Sequence, residues 1–316
     1  MSPTTNFPGV HVTLEDLMLL QHRTRGAFSF LPRQPVHSLL AGRHASRIRG
    51  RGLDFEELRG YLPGDDVRTI DWKVTARTGK THVRVFTEER DRPALLVVDQ
   101  RLAMFYGTRK NMKSVTAAEL AAAGAWRVSD VGDRVGAVVF DDTEVREVRP
   151  HRSKRTVLQI LHLLVEKNNA LRADSAVRPD PSMLNRALQG VARAVKHDYL
   201  VAIISDFDGA DEETTRMVTQ LAQHNDVLAI PVHDPSSTEI PSGARLVVGD
   251  GELQVELELG KASTRRRLAE MADRRLASVM AWQDNLGIPV MPVSAGEDSL
   301  DQLRTLLGRA AEMRRR

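Results

Sequence analysis

The 316-residue chain contains no cysteine, which removes disulfides, thiolate zinc sites and cysteine nucleophiles together and fits a reducing compartment. Long apolar runs are lacking as well. The longest, Ala94 to Val98 and Tyr199 to Ile204, are strand-length, far short of the ~20 residues a membrane-crossing helix needs. The opening MSPTTNFPGVHVTLEDLMLL has no basic start followed by an apolar stretch and a small-residue cleavage site, so nothing marks it for export. These absences lead us to expect a cytoplasmic protein without a membrane span.

The signatures of common enzyme chemistry are missing too. In an α/β protein the ligand sits at the carboxyl edge of the sheet, and the loop after the first strand is the place to look. That loop runs from Asp99 to Gly107 with a single glycine, so it holds neither a dinucleotide fingerprint nor a phosphate-binding loop with its lysine. There is no G-x-S-x-G elbow and no H-E-x-x-H pair, and the ten histidines are scattered without metal-ligand spacing. Without a nucleophile and base in a recognisable pattern, the expectation is a non-catalytic chain.

What is present is a rhythm of short apolar runs: ALLVVD ending at Asp99, RVGAVVF at Phe140, YLVAIISD at Asp206, DVLAIPV at Val232 and IPVMPV at Val293. Continuous apolar character without in-and-out alternation is what strands covered on both faces require. Helical patterns fill the gaps, over Lys113 to Val128, Ser153 to Glu166, Met183 to Lys196 and Glu212 to His224. The alternation predicts a doubly wound, mostly parallel sheet of Rossmann type, joined by right-handed crossovers. Glu144 to Val148 follows Phe140 too closely for a crossover and is expected to pair antiparallel at the sheet edge. A second hairpin is expected over Leu246 to Leu259, as an insertion near 245–259, followed by helices over Thr264 to Asn285 and Ser299 to Met313. The first 92 residues, broken by proline and glycine, are expected to form an N-terminal segment and a small β-rich lobe, with the main domain over 93–316.

The net charge of +3 is unevenly spread. Residues 1–60 carry 8 basic and 5 acidic groups and residues 261–316 carry 11 and 7, whereas the middle is slightly acidic. The run Arg43, Arg47, Arg49 and Arg51 therefore supports a second reading, a nucleic-acid binder using this segment. Further on, Leu62-Pro63-Gly64-Asp65 reads as a turn, with Asp65 or Asp66 capping the residues that follow. Asp65, Asp66, Arg68, Asp71 and Lys73 gather around Trp72. They form either an ion-pair network holding the lobe, with Trp72 as its apolar anchor, or an interaction surface, since Trp and Arg dominate binding hot spots.

The loop after the first strand resembles the metal-ion-dependent adhesion site of von Willebrand A domains, whose first strand ends in D-x-S-x-S. Asp99 matches the aspartate, while Arg101 and Ala103 stand where the two serines would be. Ser182, in PSMLNRAL, and Asp206, in ISDFDG, match the site's threonine and second aspartate. Magnesium wants about six oxygens in near-octahedral array, so the resemblance implies a degenerate site in which Arg101 substitutes for the ion and pairs with Asp99 or Asp206. The alternative is an outward-swung Arg101 and a weakly held Mg ion on Asp99, Ser182 and Asp206. The longest match lies earlier. G-L-D-F-E-E-L-R-G-Y, P-G-D-D-V-R-T-I-D-W-K and A-R-T-G-K, with VGDRVGAVVF, resemble domain of unknown function 58 (DUF58), a family of von Willebrand A-like proteins, over residues 42–240. That resemblance implies a binding or scaffolding module working with a protein partner, a MoxR-type AAA+ ATPase. Many members carry N-terminal membrane spans, and this sequence has none.

Overall fold

The structure, a computed structural model, describes residues 8–24, 53–88, 93–235, 245–249, 254–258 and 262–313. The basic run Arg43 to Arg51 lies outside the described residues. The chain divides into two compact units, one of Met1–Phe30 with Arg92–Arg316 and one of Leu31–Asp91. This differs from an N-terminal block of 92 residues. Helix α1 (Leu14–Thr24) belongs to the large unit, because its apolar face, Leu17 and Leu20, is buried and the Trp126 indole donates to the Leu17 carbonyl at 3.0 Å.

In the small unit, β1 (Leu53–Gly60) and β2 (His82–Glu88) pair antiparallel. The connection between them folds into a 3₁₀ turn over Val67–Thr69 and the short helix α2 (Trp72–Thr78). Gly79, at φ +71°, ends α2 in a left-handed C-cap that a side chain would resist.

The large unit is built on six strands in the order β10-β7-β6-β3-β4-β5. They are β3 (Ala94–Asp99), β4 (Val135–Phe140), β5 (Val145–His151), β6 (Leu200–Ser205), β7 (Asp226–His233) and β10 (Val293–Ser294). All neighbours are parallel except β4 and β5, the expected edge hairpin. Counting only the six strands of this sheet, the order is 3-2-1-4-5-6, the doubly wound arrangement with its topological switch beside the first strand. Strands β3, β4 and β6 are buried along their whole length, as their unbroken apolar runs require.

Helices cover both faces. One layer holds α1, α3 (Lys113–Asp130), α4 (Lys154–Asn169) and α8 (Ser299–Met313). The other holds α5 (Met183–Ala194), α6 (Glu212–Ala222) and α7 (Ala262–Leu286). The second layer packs on Leu95, Val97, Val138, Phe140, Val201 and Ile203, alternate residues of β3, β4 and β6 that share one face of the sheet. The expected insertion is also seen: β8 (Arg245–Gly249) and β9 (Gln254–Glu258) pair antiparallel as a separate two-stranded sheet, Gly249 opposite Gln254. Among the described residues, no helix is long and apolar enough to cross a membrane.

Candidate functional site: a neutral ion-pair lattice at the sheet rim

Period-two alternation builds the site. Leu95 and Val97 face the α5–α7 layer, so Asp99, two residues on, turns its carboxylate the same way at the end of β3. By the same parity Ser205 follows Val201 and Ile203 at the end of β6, and its hydroxyl donates to Asp99 Oδ2 at 2.6 Å. Asp99 is fully buried and Arg101 is 1% exposed. The guanidinium grips the carboxylate through Nε, at 3.0 and 3.2 Å, and NH2, at 2.7 Å. It also donates to the carbonyls of Pro181 (3.3 Å) and Asp208 (3.0 Å) and lies 5.5 Å from the centre of the Phe140 ring. Burial alone would weaken the arginine's hold on its proton, but Asp99, Asp206 and Asp208 reverse that and raise its pKa.

Asp206 extends the lattice. Its Oδ2 accepts from Lys113 Nζ at 2.5 Å, Arg101 NH2 lies 3.8 Å from Oδ1, and Arg275 of α7 stands 3.9 Å away. Arg275 also pairs with Asp208. Burial pushes the Asp206 carboxyl up, and the charges of Lys113 and Arg101 overcome this and bring it down to about 2. The loop that presents these acids is strained: Phe207 sits at φ +56°, a left-handed conformation costly to a bulky residue. It is held there by burial, by a T-shaped contact with Trp282 at 5.4 Å and by its N–H on Ser205 Oγ. Asp142, in the β4–β5 turn, ties the neighbouring loops by accepting from the backbone N–H groups of Leu102 and Asp180.

The predicted site residues are only partly united. Asp99, Arg101 and Asp206 meet. Ser182 does not join them, because its hydroxyl donates to Asp180 at 2.6 Å, and the loop leading into α5 contributes the Pro181 carbonyl instead. Ala103 sits half-buried in a 3₁₀ turn over Leu102–Met104 and offers no oxygen. Four members of the lattice, Ser205, Lys113, Asp208 and Arg275, went unpredicted. Ser205 was accessible from alternation along β6, whereas Lys113 and Arg275 come from helices whose approach to the rim no local pattern announces.

A divalent cation does not fit these residues. Both Asp99 oxygens are occupied by Arg101 and Ser205, Asp206 is bonded to Lys113, and Ser182 is turned away. Within the lattice three carboxylates (99, 206, 208) face three cations (101, 113, 275), so its acids are already paired and do not converge on a metal ion.

In the small unit the expected convergence around Trp72 is not found. Asp65 forms a two-pronged pair with Arg59, at 2.8 and 2.9 Å, which with the Leu62 N–H lowers its pKa. Asp66 caps the 3₁₀ turn through the Arg68 N–H. Asp71 caps α2 through Lys73 and Val74 N–H and takes Arg84 Nε at 2.8 Å. The acids are thus satisfied by strand arginines and backbone, while the side chains of Arg68 and Lys73 have no ion pair among the described residues. Trp72 is 68% exposed and therefore no apolar anchor.

Comparison with known proteins agrees with the sequence resemblance. The family described as "Protein of unknown function DUF58" matches residues 57–278. Uncharacterized proteins of Mycobacterium tuberculosis (strain H37Rv) and Mycobacterium bovis are each 32% identical over 273 residues, covering 85% of this chain and 83% of theirs. Among solved structures, the SpRpn10 VWA domain is 10% identical, with 68% of this chain and 94% of that chain covered and a TM-score of 0.33. A von Willebrand factor type A protein from Catenulispora acidiphila is 12% identical, with 72% and 43% covered and a TM-score of 0.33.

Proposed function

Since the chain belongs to the DUF58 family, we propose that it is a non-catalytic, cytoplasmic protein–protein interaction module whose sheet rim works without a metal ion, with a MoxR-type AAA+ ATPase as its partner. The observation that carries this reading is the Asp99–Arg101 pair: a guanidinium bonded to the carboxylate, with its charge matched inside the lattice. A rim locked this way is pre-organised, so a partner need not order it on binding. The groups left facing solvent are Pro181 and Ser182, which precede α5, and the partly exposed Asp208 and Arg275. They offer polar contacts on a rigid frame but no nucleophile and base. The ATPase is argued from the family resemblance alone.

The test is binding of the immobilised chain to a purified MoxR-type ATPase from the same cells, with and without ATP. Ser182→Arg, which adds bulk at an exposed position, is expected to weaken the complex at least tenfold without changing the unfolding temperature. No complex, or a complex indifferent to Ser182→Arg, refutes the assignment of partner or of surface respectively.

A further inference from the structure

Independently of the rim, we infer that the outer face of α2 is a docking surface for an acidic protein segment carrying an aliphatic side chain. Of the chain's three tryptophans, Trp126 and Trp282 are 4% and 5% exposed, as core tryptophans are, while Trp72 is 68% exposed. Leu62 and Val67, both 60% exposed, lie close to it in sequence. Large apolar side chains concentrated in one short stretch mark a contact surface more often than isolated ones do.

The scaffold does not use these groups. Helix α2 is fixed by Asp71 at its start and Gly79 at its end, and Asp71 is bonded to Arg84. At 100° per residue, Trp72, Lys73, Ala76 and Arg77 fall on one side of α2, and all four are exposed, while Val74 and Thr75 turn inward. Arg68, Lys73, Arg77 and Lys80 are exposed cations without an ion pair among the described residues. Of the neighbouring acids, Asp65 and Asp71 are spent on Arg59 and Arg84, leaving only Asp66 exposed. An apolar ring edged by unpaired cations fits carboxylates set around an aliphatic residue.

Nucleic acid fits less well. The span 53–88, which carries this face, holds seven carboxylates against six cations, and the basic excess of the Leu31–Asp91 unit lies apart from it in sequence, mostly in Arg43 to Arg51. Over residues 58–84 Trp72 is also the sole exposed aromatic ring, whereas stacking platforms use successive rings.

Because the other tryptophans are buried, accessible tryptophan fluorescence reports on Trp72 in the full chain. The probe is a 15-residue peptide of repeated Glu-Glu-Leu, compared with its Lys-Lys-Leu counterpart, a single-stranded oligonucleotide and vesicles of anionic phospholipid. The expected result is a blue shift and protection from acrylamide quenching with the acidic peptide alone. Anisotropy of the labelled peptide should show binding at least tenfold weaker in Lys73→Glu/Arg77→Glu, whose unfolding temperature is unchanged, and also in Trp72→Ala. Three results overturn the proposal: no response to the acidic peptide, an equal response to the oligonucleotide or vesicles, or an acrylamide-protected Trp72 in the free chain, which would mean that this chain covers its own surface.

Discussion

Replacing Arg101 by alanine perturbs the rim most directly. The substitution removes three hydrogen bonds to Asp99, two to the Pro181 and Asp208 carbonyls, and the contact with Phe140. Asp99 stays fully buried with the Ser205 hydroxyl and the residue-101 N–H as its remaining donors. Breaking a buried pair by removing one partner costs about 3–5 kcal/mol, mainly because an uncompensated charge is left behind. Ser205 and relaxation of Lys113 toward the rim argue for the lower end, about 3 kcal/mol. Urea unfolding of the full chain, followed by tryptophan fluorescence, measures the loss. Arg101→Lys keeps the charge but not the fork, and is expected to recover only part of the stability. Asp99→Asn/Arg101→Met, which removes both charges, should be less destabilised than Arg101→Ala. A loss below about 1 kcal/mol in Arg101→Ala would refute the claim that this pair holds the rim together.

Further expectations concern the surroundings. The folded-state pKa of Asp206, about 2, lies below the ordinary value of 3.8, so its stabilisation is complete above about pH 4 and is lost as pH falls toward 2; Asp206→Asn should flatten stability over that window in an acid titration. Gly209 sits at φ +79°, and a Cβ there would come within 2.5 Å of Pro181 Cβ and 2.7 Å of its carbonyl oxygen, the one that receives Arg101. Gly209→Ala should therefore cost about 2 kcal/mol in urea unfolding. Lys167, 6% exposed, joins the last turns of α4 to Asp141 and Glu144 of the β4–β5 turn; Lys167→Ala should cost about 2 kcal/mol and speed amide exchange of residues 141–144.

The fold was legible because its signal is local and repeated. Five apolar runs with helices between them admit few arrangements besides a doubly wound sheet, and the edge hairpin followed from a three-residue gap. Asp99, Arg101 and Asp206 were legible for the same reason, each standing at or just past a strand's carboxyl end. Ser182 misled because a residue's place before a helix fixes its backbone, not its hydroxyl, and Asp180 two residues earlier captured that hydroxyl. Lys113 and Arg275 were hidden because their meeting with Asp206 and Asp208 depends on how α3 and α7 pack, over separations of 93 residues and more than 60. Of the two readings of the Asp65 to Lys73 cluster, the internal ion-pair network is not what forms, because β1 and β2 supply Arg59 and Arg84 to Asp65 and Asp71.

The metal-free character of the rim is tested most directly by calorimetric titration of the chain with Mg²⁺ and with Mn²⁺ at neutral pH. A lattice whose carboxylates are already satisfied by Arg101 and Lys113 predicts no saturable heat with either ion, in the wild type and in Asp99→Ala alike. Saturable micromolar binding at one ion per chain, abolished by Asp99→Ala, would contradict it.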